Sequence, residues 1–515
     1  MSVAGPPGRV ESALAQNKLG ASTLIFFAVS AAAPLTILVG LVTVAWQVTG
    51  VTGLPLAFVI LGAILAVFSV GYIAMAKRIR NAGAFYSYIA QGAGKPFGVA
   101  AAFVAVPAYG MLAIALFGMI GPTVKALLPA SVAGSVPWWV AALVVWAFVA
   151  VMGVLRVDVN GKVLAVALLA EVALVVVCDV IDLLHPAGGS VSMETLTPSS
   201  LGSAEQLGVA FAIVMAAFVG FEAPPIFSEE SKDAGRTVGR AIFRGLAIMT
   251  VLYAGSSWAL SVAIGPDQLQ QAAAEHPGDL PFAVAAGHVG GPVLIALGQL
   301  LYLSSLVAAA LSYHNNVTRY LFALGREHVV FAFLGRTTPR TFAPRNASLL
   351  LSVTGLAVIL TYAAAGADPM ITLFYWLGTG GGFGVLLLII ATSLSVPGYF
   401  WRWRRTFGEP VSVWQGYLAP VLAAALLGWI AWLIVENFAG LLNVGPDSPM
   451  RWAFPAGYSL LALLGAGWAW VLFARRPAVY RAIGLGTTPT AVQDGAPPAS
   501  PAYRPAHSSL PGGAR

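Results

Sequence analysis

A carboxylate and two adjacent prolines interrupt an apolar run in the stretch VMAAFVGFEAPPIFSEESKDAGRTVGRAIFR, from Val214 to Arg244. A proline inside a helix has no N–H and clashes with the carbonyl four residues earlier, so Pro224 and Pro225 are expected to free the carbonyls of Gly220 and Phe221. Within a bilayer such carbonyls persist only where protein or a wet cavity satisfies them. Glu222 stands beside them, and an ionisable residue inside a span marks an ion or solute path. The alternative, a proline-kinked packing helix, leaves the glutamate and its neighbouring glycine unexplained.

A second interruption lies in FFAVSAAAPLTILVG, where Pro34 would free the carbonyl of Ser30. Ala31, Ala32 and Ala33 leave room for a ligand to reach backbone, or for a neighbouring helix to pack closely. Glu171 falls near the centre of another apolar run, where the insertion cost quoted for Asp is about 2.5–3.5 kcal/mol. It must face protein or water, either to exchange a proton or as a neutral, hydrogen-bonded structural group. Ser304 and Ser305 are paired hydroxyls that could ligate sodium, although serines more often bond their own helix backbone. Phe374, Tyr375 and Trp376 precede Gly378 and Gly380–Gly382, which reads as an aromatic gate with a hinge or as tight small-residue packing. Glu229, Glu230 and Lys232 with Arg236, Arg240 and Arg244 read as an ion-paired gate or a solvated loop. The six histidines show no metal-ligand spacing, His314 reads as packing or interfacial, and the single Cys178 excludes an intrachain disulfide. No metal, no cofactor and no catalytic nucleophile is expected, so the chemistry is binding and release.

The elements that must hold these residues follow from composition. Of 515 residues, 58% are hydrophobic and 9% charged, with a mean hydropathy of +0.84. That is an all-α polytopic membrane protein. Apolar runs of about 20 residues predict twelve transmembrane helices at roughly 23–46, 54–76, 97–121, 137–155, 162–184, 207–228, 241–264, 283–313, 347–366, 369–394, 414–435 and 453–474. Of 27 Lys and Arg, all but Lys125 and Arg451 fall in the tails and even-numbered loops. The positive-inside rule therefore predicts a multi-pass protein of the cell membrane with both termini cytoplasmic. The basic pI of about 9.5 reflects this topology, and no nucleic-acid partner is expected. Arg9, Glu11 and Lys18 precede an apolar run too long for a signal peptide, so the first span is expected to remain. The second loop, with Phe85, Tyr86 and Tyr88 among its bases, reads as an interfacial amphipathic segment. Residues 1–17 form an N-terminal tail, 18–483 the helical domain, and 484–515 a disordered tail rich in Pro, Ala, Gly and Ser. Two interrupted helices five spans apart point to inverted repeats, about 20–184 and 207–394, followed by two further helices over 414–474.

AFVGFE (Ala217–Glu222) followed by EES and RTVGRAI, and NNVTRYLFALGRE (Asn315–Glu327) followed by APRNA, give the chain a resemblance to the amino acid-polyamine-organocation superfamily of permeases. The resemblance implies the leucine-transporter-like 5+5 inverted repeat with broken helices 1 and 6. Carried over by position, it implies a solute site formed by Ser30, Ala31, Ala32, Ala33 and Pro34 with Phe218, Val219, Gly220, Phe221 and Glu222. The solute's carboxylate would meet amides of the first break, and its ammonium the carbonyls of both. The sequence departs from the family's pattern in three places. Ala-Ala-Ala-Pro replaces a glycine-small-glycine pattern, Gly239 replaces a proline, and Glu171, nine residues after Lys162, stands where proton-coupled relatives often carry lysine.

The expectation is a secondary transporter that moves an amino acid or related amine by alternating access, with Glu171 coupling a proton and Phe374, Tyr375 and Trp376 closing over the solute. An exchanger, a sodium symporter using Ser304 and Ser305, a polyamine or organic cation transporter, and a non-transporting nutrient sensor stay open. Oligomeric state is not legible.

Overall fold

The computed structural model describes Leu14 and residues 19–155, 157–232, 234–338, 342–407 and 410–490. Among them the chain is helical, and no strand occurs; a lone parallel bridge joins Leu19 to Ser231. The helices are α1 (Ala21–Ala32), α2 (Thr43–Thr49), α3 (Leu54–Ala76), α4 (Ala84–Gly92), α5 (Lys95–Leu127), α6 (Trp138–Gly153), α7 (Val157–Leu184) and α8 (Ala204–Phe218). There follow α9 (Ala234–Ile264), α10 (Leu280–Val289), α11 (Pro292–Arg326), α12 (Arg345–Ala364), α13 (Trp376–Phe407), α14 (Ala419–Glu436), α15 (Ala453–Arg475) and α16 (Pro477–Ala482). Eight helices among the described residues are long and apolar enough to cross a membrane.

Local chemistry explains where these helices begin. Ser203 and Gln206 form a reciprocal capping box at the start of α8: the Gln206 amide donates to Ser203 Oγ at 3.3 Å and the Ser203 amide to Gln206 Oε1 at 3.0 Å. Proline within the first turn opens α3, α5 and α11, where its missing N–H leaves nothing unpaired.

The structure splits the run expected over 283–313. Gly290, at φ 66°, ends α10, and Pro292 opens α11, which then continues to Arg326. The second loop also differs from its expected interfacial place. Phe85, Tyr86, Tyr88 and Ile89 of α4 are all buried, and α4 packs against α5 and α13. An amphipathic reading counts aromatic residues as surface anchors, whereas here the rings have neighbouring helices to cover them.

Long α5 is central, lying against α11, α13 and α15. Gly380, Gly381 and Gly382 of α13 allow close approach: a Cβ on Gly382 would lie 2.6 Å from Ala216 Cα, and one on Gly381 2.8 Å from Ala108 O. Gly378, by contrast, faces open space. Tight packing therefore accounts for the glycine triplet. Of the tail expected over 484–515, residues 484–490 are described and the rest lie outside the described residues. Gly484 and Gly486 donate their amides to Glu327, at 2.7 Å each.

Candidate functional site

Both interrupted helices break. Helix α1 stops at Ala32, and Ala33 adopts a left-handed conformation (φ 40°) before Pro34 and a π-helical turn over Thr36–Val42. Helix α8 stops at Phe218; Val219 is extended, Gly220 sits at φ 123°, and a short 3-10 turn spans Pro224–Phe227. Only glycine takes the Gly220 conformation without strain.

The second break differs in detail from the count of freed carbonyls. The Ala223 amide donates to the Gly220 carbonyl at 3.0 Å, which the proline rule left open. Among the described residues the Phe221 carbonyl has no hydrogen-bond partner. Tyrosines from other helices satisfy the rest: Tyr313 on α11 donates to Val219 O at 2.7 Å, and Tyr72 on α3 to Glu222 O at 3.0 Å.

Glu222 is fully buried. Its Oε1 accepts from the Tyr109 hydroxyl at 2.5 Å and its Oε2 from the Gly220 amide at 2.9 Å. Tyr109 stacks on Tyr320, ring centroids 5.6 Å apart. The carboxyl thus caps its own helix break, and the two contacts fix it in place.

Glu171 on α7 is also buried, and the Ser305 and Ser304 hydroxyls and the Leu35 amide lie beside its carboxyl. Its Oε2 has no hydrogen-bond partner among the described residues. Ser304 does bond its own helix, donating to Leu301 O at 2.7 Å. Ser305 instead accepts from the Thr36 amide and hydroxyl, at 3.3 and 3.2 Å. The two groups first read as separate alternatives, a proton carboxyl and a sodium pair, therefore form one cluster against the break in the first span.

A cavity of about 40 Å³ adjoins this region, lined in part by Ala31, Thr36, Ala216, Tyr313, Phe374 and Gly378. It has room for water and none for a solute of amino acid size. Of the residues expected at the site, Ala31 and Phe374 line it. Ala33, Pro34 and Phe218–Glu222 are buried in the packing around it, as is Tyr375, while Trp376 is half-buried. The side chains of Ser30, Ala32 and Lys162 lie outside the described set.

One end of the bundle is locked by groups the sequence does not pair. Glu230 and Arg319, each only 2% exposed, meet as a fork, Nε to Oε2 at 2.7 Å and Nη2 to Oε1 at 3.0 Å. Arg319 also lies over the Phe227 ring at 4.5 Å. Glu229 meets Arg326 at 2.7 Å through both oxygens and accepts from the Ala82 amide at 2.9 Å. Burial works against ionisation of Glu229, but Arg326 outweighs it and holds the carboxyl below its usual range. The Glu230 carbonyl accepts from the Leu19 amide at 3.0 Å. The glutamates therefore grip α11, not the arginines near them in sequence. His314 packs as expected, Nε2 lying 2.8 Å from Ser348 Oγ.

Residues 23–480 match the family model described as amino acid permease. The chain belongs to that family. Permeases of this kind are transporters and not enzymes, and the apolar helices of this one make it a multi-pass membrane protein. Among curated proteins, the permease is 27% identical over 233 residues to cationic amino acid transporter 1 of Arabidopsis thaliana, covering 44% of this chain and 35% of that one. It is 28% identical over 143 residues to the chloroplastic cationic amino acid transporter 7 of the same plant, covering 28% and 23%. It is 23% identical over 235 residues to the low-affinity putrescine importer PlaP of Escherichia coli K12, covering 45% and 48%. The aligned stretches span less than half the length of each relative.

Proposed function

We propose that this permease moves a cationic amino acid or amine across the membrane by alternating access between two inverted five-helix repeats, within a set of twelve spans. The observation that carries the reading is Glu222, a fully buried carboxylate held at a mid-helix break beside the unpartnered Phe221 carbonyl. Buried charge is retained in a membrane where a path needs it, and a carboxylate with a bare carbonyl matches an ammonium group. The names of the relatives, two cationic amino acid transporters and a putrescine importer, support the same class. Ser30 to Pro34 and Phe218 to Glu222 would receive the solute once the helices part, with Phe374 closing over it.

Proton coupling is the companion proposal. Glu171 has one unpartnered oxygen and hydroxyl groups beside it, next to the segment that must move. Protonation there would release Ser305 and Thr36 from a charged neighbour. The test is uptake into proteoliposomes of labelled arginine, lysine and putrescine, with leucine for comparison, under an imposed pH gradient. Saturable uptake of the cations that responds to the gradient supports both parts. Counterflow without gradient dependence leaves an exchanger. Binding without any flux removes transport and leaves a sensor.

A further inference from the structure

A cleft of about 380 Å³ opens at the end of the bundle that carries Leu19 and Gly484, away from the cavity beside the helix breaks. Its walls include Arg78 and Arg80 after α3, and Arg402, Tyr399, Trp403 and Phe407 on the last turns of α13; no carboxylate occurs among its described lining residues. Two of the three cations are set in place by protein. Arg78 Nη1 donates to Ala74 O at 3.0 Å, and its guanidinium lies over the rings of Phe400 and Trp403 at 5.1 and 5.3 Å. Arg402 Nη2 donates to the carbonyl of Gln91 at 2.8 Å and to that of Gly92, at the end of α4. Arg80 has no hydrogen-bond or ion-pair partner among the described residues. Asn81 and Gly484, also on the wall, both bond Glu327, which takes its donors from Asn81, Tyr86, Gly484 and Gly486.

Three guanidiniums around a concave space, with no carboxylate among its described lining residues, attract an anion with several oxygens, and arginine forks match phosphate geometry. The flank of the cleft is apolar: Phe407 and nearby Trp401 are both exposed, and Arg405 lies over the Trp401 ring at 3.8 Å. Arginine and tryptophan together at a helix end are the residues that lodge at a bilayer's headgroup level. Basic pockets between spans on the cytoplasmic side suit phosphate headgroups. We propose that the cleft binds the phosphate of an anionic phospholipid headgroup, with Arg80 as its free cation and Arg78 and Arg402 as fixed ones. Leu485 and Gly484 form part of the wall, so the headgroup would touch the segment that follows α16.

The probe is phosphatidylglycerol, titrated against the detergent-purified full chain and followed by native mass spectrometry. Phosphatidylcholine and free glycerol phosphate form parallel arms. One tightly retained phosphatidylglycerol per chain is expected, with phosphatidylcholine held more weakly. Arg80→Gln, which breaks no observed contact, should weaken retention about fivefold, in line with one basic group at a membrane surface. Arg236→Gln with Arg240→Gln removes two exposed charges elsewhere and should leave retention unchanged. Equal retention of the two lipids overturns the proposal, as does an equal loss in the Arg236/Arg240 variant. Competition by glycerol phosphate at matched concentration assigns the cleft to a soluble phosphate and overturns the lipid. Should Arg80→Gln prove unstable, Arg80→Lys keeps the test alive, because a phosphate held by a guanidinium fork is still released faster from lysine.

Discussion

At the scale of single residues, Glu222 is occupied on both oxygens, by the Tyr109 hydroxyl and the Gly220 amide. If Glu222 receives the solute's ammonium as proposed, that group must share or displace them. Glu222→Gln keeps the shape and removes the charge, and its amide must face one donor with another. Cation uptake is expected to fall roughly tenfold or more in kcat/KM, the scale of one hydrogen bond to a charged group. Competition assays with lysine and leucine check this, since leucine, with no second ammonium, should lose less. Glu171→Gln is expected to leave counterflow intact and make uptake indifferent to an imposed pH gradient; gradient-driven uptake at normal rates in that variant would remove Glu171 from coupling. Both carboxylates stand out in the sequence because an acid within an apolar run must be met by protein or water, although for Glu171 a neutral structural role reads equally well. Tyr72, Tyr109, Tyr313 and Thr36 do not, although they complete both clusters. A tyrosine in an apolar helix reads as packing, and its hydroxyl's partner lies about a hundred or more residues away, as Tyr109 does from Glu222.

Among the elements, the two breaks follow from local rules that a sequence displays. Proline cannot continue the bonding of a helix, and glycine alone accepts φ 123°. Gly220→Ala is accordingly expected to destabilise the folded protein by about 1–3 kcal/mol through strain at that backbone position, read as a lowered midpoint in thermal unfolding. Unchanged stability would mean the break is soft. Span two is legible almost to the residue, because Gly53–Pro55 starts it and Lys77 ends the apolar run. The start of α11 is less so, since Gly290, Gly291 and Pro292 lie inside a stretch whose average hydropathy hides them. The burial of α4 is illegible for a different reason. Whether an aromatic face meets lipid headgroups or other helices depends on where α5 and α13 lie, and no window of sequence contains that.

For the molecule as a whole, the ion pairs at the end carrying Leu19 and Gly484 tie the segment after the second break to α11. Glu230→Gln leaves Arg319 buried and unmatched, and breaking a buried pair from one side costs about 3–5 kcal/mol. The closed arrangement should lose that much, so hydrogen exchange across residues 219–231 is expected to quicken while exchange in α12 stays as it was. Unchanged exchange in 219–231 would show that the pair is not what shuts this end. Glu229, Glu230 and Ser231 follow the 3-10 turn of the second break by only a few residues, and between them they hold Arg326, Ala82, Arg319 and Leu19. The tethers lie on three separate parts of the chain, α11, the segment after α3 and the residues before α1, yet all hang from one short lever. With all of them anchored at Glu229–Ser231, loosening one is expected to slacken the rest, so this end should open as a unit. Under the proposed transport role, that would keep an empty carrier from standing ajar and letting ions leak down their gradient.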